Sequence, residues 1–241
     1  MKRIAALSAY LLTALLLVAC SSSAIQRKDG SSSSVRSFSL RDLAKSDVDE
    51  VIEIHQQAAL ASLKTLTLKL YRRNPSEWRK SGYASADEAT ETLFKPLSHW
   101  HLSSHKDLDW QASLRDAWRE EYTGDRVKAL MDGLLVMHMA AFNHRTEFYL
   151  LSDVDAQKLY NAARNTEAVV WKLATTRNSH NAPLLLSNGT DGNDVINLSF
   201  EREFGKLIGN QDTLARIVED KSNRAIRFGV VNLTSMVFLP V

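Results

Sequence analysis

One device recurs along this chain: a Ser or Asp able to cap a helix, followed by apolar residues that return at three- and four-residue steps. Ser46-Asp47-Val48-Asp49 is the first case, with a carboxylate three residues after the serine in the manner of a capping box. Val48, Val51, Ile52, Ala59, Leu60, Leu63, Leu66 and Leu70 then form a stripe of helical period. Such a stripe is kept from water only by packing against other elements. Asn74-Pro75 stops this helix, and Pro75 suits the first position of a short successor. Ser85-Ala86-Asp87-Glu88 caps another helix running to about Lys95, where Pro96 ends it. Residues 97–109, rich in His and Ser, read as irregular, and a helix follows from about Leu108 to Tyr122.

The most apolar stretch beyond residue 20 is Arg126–Leu151. Its apolar residues fall nearly all round a helical wheel, which marks a central, buried helix. Asp132, His138, Asn143, His144, Arg145 and Glu147 make a bilayer span expensive there. Ser152-Asp153-Val154-Asp155 opens a further helix to about Thr176, and Asn178–Asp194 is the longest expected loop. Three helices should follow: Ser199–Leu207, ended by Gly209-Asn210; Asp212 to about Lys221; and Asn223 towards Phe238. Only Ala182–Leu186 and Val195–Leu198 have the composition to pair as a minor hairpin. The expected fold class is all-α, an irregular bundle of five to seven helices packed around residues 126–177.

The amino terminus has a different character. Lys2 and Arg3 precede an apolar run from Ile4 to Ala19, and the chain turns polar at Ser21-Ser22-Ser23. A basic start, a short apolar core and small residues at the cut describe an export signal. Leu17-Val18-Ala19-Cys20 resembles the lipobox of bacterial lipoproteins. That resemblance implies cleavage before Cys20, a diacylglycerol thioether on its sulfur and an acylated amino terminus, palmitate being the typical chain. By the sorting rule of enteric lipoproteins, Ser21 in place of Asp implies the outer membrane, with the body facing the periplasm. Several acyl chains anchor stably, since each buried methylene contributes about 0.8 kcal/mol. The domain organisation is then a signal peptide over 1–19, a lipidated cysteine with a Ser-rich tether over 20–39, and one helical domain over 40–241.

Charge and cysteine content narrow the function classes. Lys2 and Arg3 are two of 30 basic residues, so the mature chain balances 28 basic against 28 acidic side chains. Such a balance does not suit electrostatic capture of nucleic acid. Cys20 is the only cysteine. Once it is lipidated, no thiol remains for an intrachain disulfide, a nucleophile or a cysteine zinc site. No P-loop, G-x-G-x-x-G, G-x-S-x-G or H-E-x-x-H occurs, and no cofactor is expected.

Several groups of residues carry chemistry on paper. His99, His101 and His105 in HWHLSSH form the densest ligand-like cluster, although zinc needs three or four such ligands brought together. Met131, Met137, His138 and Met139 have soft-metal donors, but adjacent positions on a helix point to different faces. Gly189–Ile196 looks like one turn of the Gly- and Asp-rich calcium repeats, which bind between stacked copies. Glu120, Glu121 and Glu147 are candidates for glycan hydrolysis by paired carboxylates. Lys64, Lys69, Arg72, Arg73, Arg79 and Lys80, interleaved with Tyr71 and Trp78, make a basic stretch able to meet anionic lipid or glycan phosphate. Arg224–Val241 is strongly apolar with a basic start and should dock into the bundle.

Taken together, these features lead to a non-enzymatic lipoprotein, held to the membrane by its lipid and bound to an envelope protein partner as accessory subunit, assembly factor or scaffold. An envelope hydrolase acting on peptidoglycan or another glycan, and a metal-binding periplasmic protein, are the alternatives.

Overall fold

The computed structural model describes residues 45–149, 154–188 and 198–237, the last helix by its backbone alone from residue 222. Cys20 and its tether, the Gly189–Ile196 loop, the Val195–Ile196-Asn197 half of the expected hairpin and the side chains of Arg224–Val241 lie outside the described residues. Among those described, the compact unit that begins at Ala44 is an all-α bundle of seven helices. These are α1 (Asp47–Arg73), α2 (Pro75–Lys80), α3 (Ala86–Phe94), α4 (Trp110–Trp118), α5 (Arg126–Ala141), α6 (Ala156–Thr175) and α7 (Ser199–Val237).

Capping decides most of the starts. Ser46 accepts from the Asp49 amide while Asp49 returns a bond to the Ser46 amide, closing the capping box. Ser85 accepts from the Glu88 amide, and Asp109, Asp125 and Asp155 cap α4, α5 and α6 in the same way. Asn74 ends α1 and Pro75 begins α2.

Helix α5 is the centre of the bundle: every residue in it except Lys128 and Ala140 is buried. Helices α1, α2, α4 and α6 pack around it. Gly133 allows the closest of these approaches, since a Cβ there would lie 2.7 Å from Leu114 Cγ and 3.0 Å from the Trp110 carbonyl oxygen. A polar lock joins α1, α2 and α5. Tyr71 and Ser81 both donate to Asp125 at 3.0 Å, and Glu77 accepts from the Arg126 amide at 2.7 Å. Burial, followed by the charge of Asp125, pushes the Tyr71 phenol far above its usual range. The Arg126 guanidinium, itself buried, donates to the carbonyls of Ala117, Arg119, Glu120 and Tyr122, so it collects the acceptors left over at the end of α4.

The structure corrects three local expectations. The helix expected over Arg126–Leu151 stops at Ala141, because Asn143 and His144 adopt left-handed backbone with φ of 52° and 57°. The His144 amide then donates back to the Met139 carbonyl at 2.7 Å, and Phe148 returns to the core with its ring 5.9 Å from that of Phe142. Residues 97–109, read as irregular, are largely two 3-10 segments, Lys95–Leu102 and Ser104–Asp107, and Pro96 opens the first of them. Arg177 and Pro183 make an isolated antiparallel bridge within the 177–183 turn.

The largest correction is α7, expected as three helices and found as one of 39 residues. At a rise of 1.5 Å per residue it is about 58 Å long. It lies antiparallel to α1, with Lys69 bonded to Ser199, Asn210 donating to the His55 carbonyl at 2.7 Å, and Lys221 paired with Asp49 at 2.8 Å. Gly209 costs about 1 kcal/mol in a helix relative to Ala. Burial of Phe200, Phe204, Leu207, Leu214 and Val218 against α1 and α6 outweighs that, and Asn210 uses its amide on α1 rather than on a local turn.

Candidate functional site

The histidines of HWHLSSH separate in space. His99 and His101 are exposed, and His99 Nδ1 lies 2.8 Å from Ser98 Oγ. His105 turns inward, with Nε2 3.0 Å from Asp132 Oδ1. The other Asp132 oxygen is held by Lys128. Burial works against the charge of Lys128, but Asp132 outweighs it and lifts the ammonium above its usual range. No group of three or more His, Cys, Asp or Glu is placed to hold a metal among the described residues. Met131, Met137, His138 and Met139 are all core residues of α5.

Most of the carboxylates and basic residues singled out for function are also engaged. Glu147 is exposed and accepts from the Tyr149 hydroxyl at 2.7 Å. Glu121 is exposed as well. Glu120 accepts from both the hydroxyl and the amide of Ser179, which hold its carboxyl below the usual range. Five deep-set carboxylates, Asp49, Glu53, Glu77, Asp132 and Glu203, each meet a lysine: Lys221, Lys45, Lys80, Lys128 and Lys206 in turn. The sixth, Asp125, accepts instead from Tyr71, Ser81 and the Lys128 amide, and burial lifts its carboxyl above the usual range. Burial opposes ionisation of Asp49, yet Lys221 and the Ser46 donors hold its carboxyl below the usual range. In the basic stretch, Lys64 pairs with Glu91 at 2.8 Å, Arg72 with Asp87 at 3.2 Å, and Arg79 covers the Trp78 ring at 4.8 Å.

Two concavities flank α6, neither of which follows from a local motif. A polar groove of about 650 Å³ lies between α6 and α7. Tyr160 and Arg164 line one wall, and Asp212, Arg216 and Glu219 line the other. Arg164 is the fixed point, bonded to Asp212 at 2.7 Å and to Glu167 at 3.1 Å, with its guanidinium 5.0 Å from the Tyr160 ring centre. Tyr160 is 47% exposed, and Trp171, 66% exposed, stands eleven residues further along. Eleven residues are close to three helical turns, so Tyr160, Arg164 and Trp171 share one outward stripe of α6.

The second cavity, about 360 Å³, lies between the end of α5 and the first half of α6. Its walls combine Trp110 and small apolar residues with Asn143, His144, Lys158, Asn161 and Asn165. The left-handed turn that stops α5 sets Asn143 and His144 on this cleft. His144 was read only as part of an apolar helix, and Asn165 and Trp171 carried no motif. The one sequence signal was an Asn-His pair straight after an apolar run, which is where a left-handed helix stop falls.

Comparisons with protein-family models, with curated proteins and with solved structures find no match to this chain.

Proposed function

We propose that this chain is a lipid-anchored, non-enzymatic binding protein of the bacterial envelope, tethered at Cys20 to the outer membrane and engaging a protein partner from the periplasmic side. The Leu17–Cys20 lipobox and the Ser-rich stretch after it support the anchor and its reach. The observation that carries the binding reading is the outward stripe of α6. Tyr160, Arg164 and Trp171 are of the residue types that dominate binding energy at protein interfaces, and two are large aromatics left in water, Tyr160 on the wall of the groove.

The test is cross-linked affinity purification of the full-length, lipidated protein from envelopes, beside Cys20→Ala and a Tyr160→Ala/Trp171→Ala double variant. The expected result is one stoichiometric envelope partner. Its capture should fall about tenfold or more in the double variant, as for loss of two hot-spot aromatics. Cys20→Ala, which removes the lipid attachment, should reduce capture. Undiminished capture by the double variant or by Cys20→Ala would contradict the proposal.

A further inference from the structure

We infer that the α5/α6 cleft is a binding site for a small organic anion, specifically a carboxylate carried on a compact apolar or saccharide frame. The inference is independent of the protein partner proposed above, because it rests on the opposite side of α6 and on different residues.

The first argument is the donor set. Trp100 Nε1 donates to His144 Nδ1 over 3.4 Å, with the two rings nearly parallel at 13°. An imidazole that accepts at Nδ1 carries its proton on Nε2, so the ring offers the cleft an N–H donor. Burial, helped by the nearby Lys106 and Lys158 and opposed by Asp107, keeps this ring neutral. Lys158 stands across the cleft with its ammonium bonded to Asn143 Oδ1 at 2.7 Å, one of the three donors such a group has. Asn161 accepts from Gln157 through its carbonyl, at 2.9 Å, which turns its NH₂ into the free-facing half of the amide. The Asn161 carbonyl oxygen is satisfied by Gln157, so the polar wall offers the Asn161 NH₂, the His144 N–H and the Lys158 ammonium.

The second argument is the frame on which those donors sit. Met137, Ala140, Ala141 and Ala162 make an apolar floor and Trp110 an aromatic side wall. Donors on one wall and an indole with small aliphatics on the others fit an amphipathic anion better than a free inorganic ion, which would find no use for the floor. A volume near 360 Å³ lies at the small end of ligand pockets, enough for an acylated dipeptide or a single sugar. Backbone strain agrees with a purpose at this point. Asn143 and His144 are consecutive non-glycine residues in left-handed conformation, and both of them line the cleft. Trp100 stacks on His144 of this turn, and the His105 ring lies 5.9 Å from the same indole.

Isothermal titration of the full-length lipidated protein in a polyoxyethylene detergent tests the inference with two matched pairs of probes. One pair is N-acetyl-alanyl-alanine and its C-terminal amide; the other is N-acetylmuramic acid and N-acetylglucosamine, which lacks the lactyl carboxylate. At least one carboxylate should bind saturably, and its neutral counterpart should bind about tenfold or more weakly, the usual loss when a charge-assisted bond is removed. Which pair responds identifies a peptide or a sugar as the frame. Lys158→Gln and Asn165→Ala, both checked for an unchanged melting temperature, should each weaken the carboxylate. Equal binding of acid and neutral partner, binding by none of the four probes, or full affinity in a normally folded Lys158→Gln protein would each overturn the inference.

Discussion

His138 should make the stability of this protein fall steeply as pH drops below neutrality. Its ring is wholly buried in α5, with Nδ1 2.7 Å from the Leu134 carbonyl and Gln211 of α7 as its polar neighbour. Burial lowers its pKa from 6.5 to about 4, against the smaller opposing effects of Leu134 and Gln211. In the unfolded chain the imidazole takes up a proton as pH passes below about 6.5, while the folded protein stays neutral until about 4. The folded state is therefore favoured in full above pH 6.5 and loses stability through the interval between the two values. At about 1.4 kcal/mol per pH unit, the loss reaches roughly 3 kcal/mol at pH 4. Urea unfolding at pH 7.5 and 4.5, followed by tryptophan fluorescence, measures it. Subtracting the same difference for His138→Gln removes contributions from the ion-paired carboxylates, so the wild type should lose roughly 2–3 kcal/mol more than the variant. An identical pH dependence in the two proteins would refute the reasoning, as would a native-state titration of His138 near 6.5.

Gly133→Ala should destabilise by roughly 1–3 kcal/mol, although alanine is the better helix former, because its Cβ would meet Leu114 at 2.7 Å and the Trp110 backbone at 3.0 Å. A raised urea midpoint would contradict this close approach of α4 and α5. Arg126→Met should cost about 3 kcal/mol, since four carbonyls lose a charged donor together, and amide exchange should quicken over residues 117–124. Unchanged exchange there would show that the guanidinium does not hold the α4/α5 connection.

The sequence was most legible where a helix boundary has a local chemical cause. Ser46, Ser85 and the Asn74-Pro75 step are such cases, because a cap or a missing amide acts within one turn. The central burial of α5 was legible for a similar reason, as its apolar residues have no polar side to present. Boundaries decided by distant partners were not. Gly209-Asn210 carries every local mark of a stop, but α1 supplies a carbonyl for Asn210 and the flanking phenylalanines and leucines fill the space between α1 and α6. The site was the least legible part. The spacing of His99, His101 and His105 drew the eye to one loop, yet His105 finds Asp132 on α5 and Trp100 finds His144 beyond it. The cleft and the α6/α7 groove gather residues separated by up to about sixty positions, and no short motif records such a meeting.

Photo-cross-linking in growing cells, with a benzophenone amino acid in place of Trp171, tests the central claim most directly. The account predicts a single dominant cross-link to one envelope protein from position 171, absent when the probe stands at the exposed Gln57 of α1 instead. No cross-link at 171, or the same products from both positions, would contradict a partner held on the outward stripe of α6.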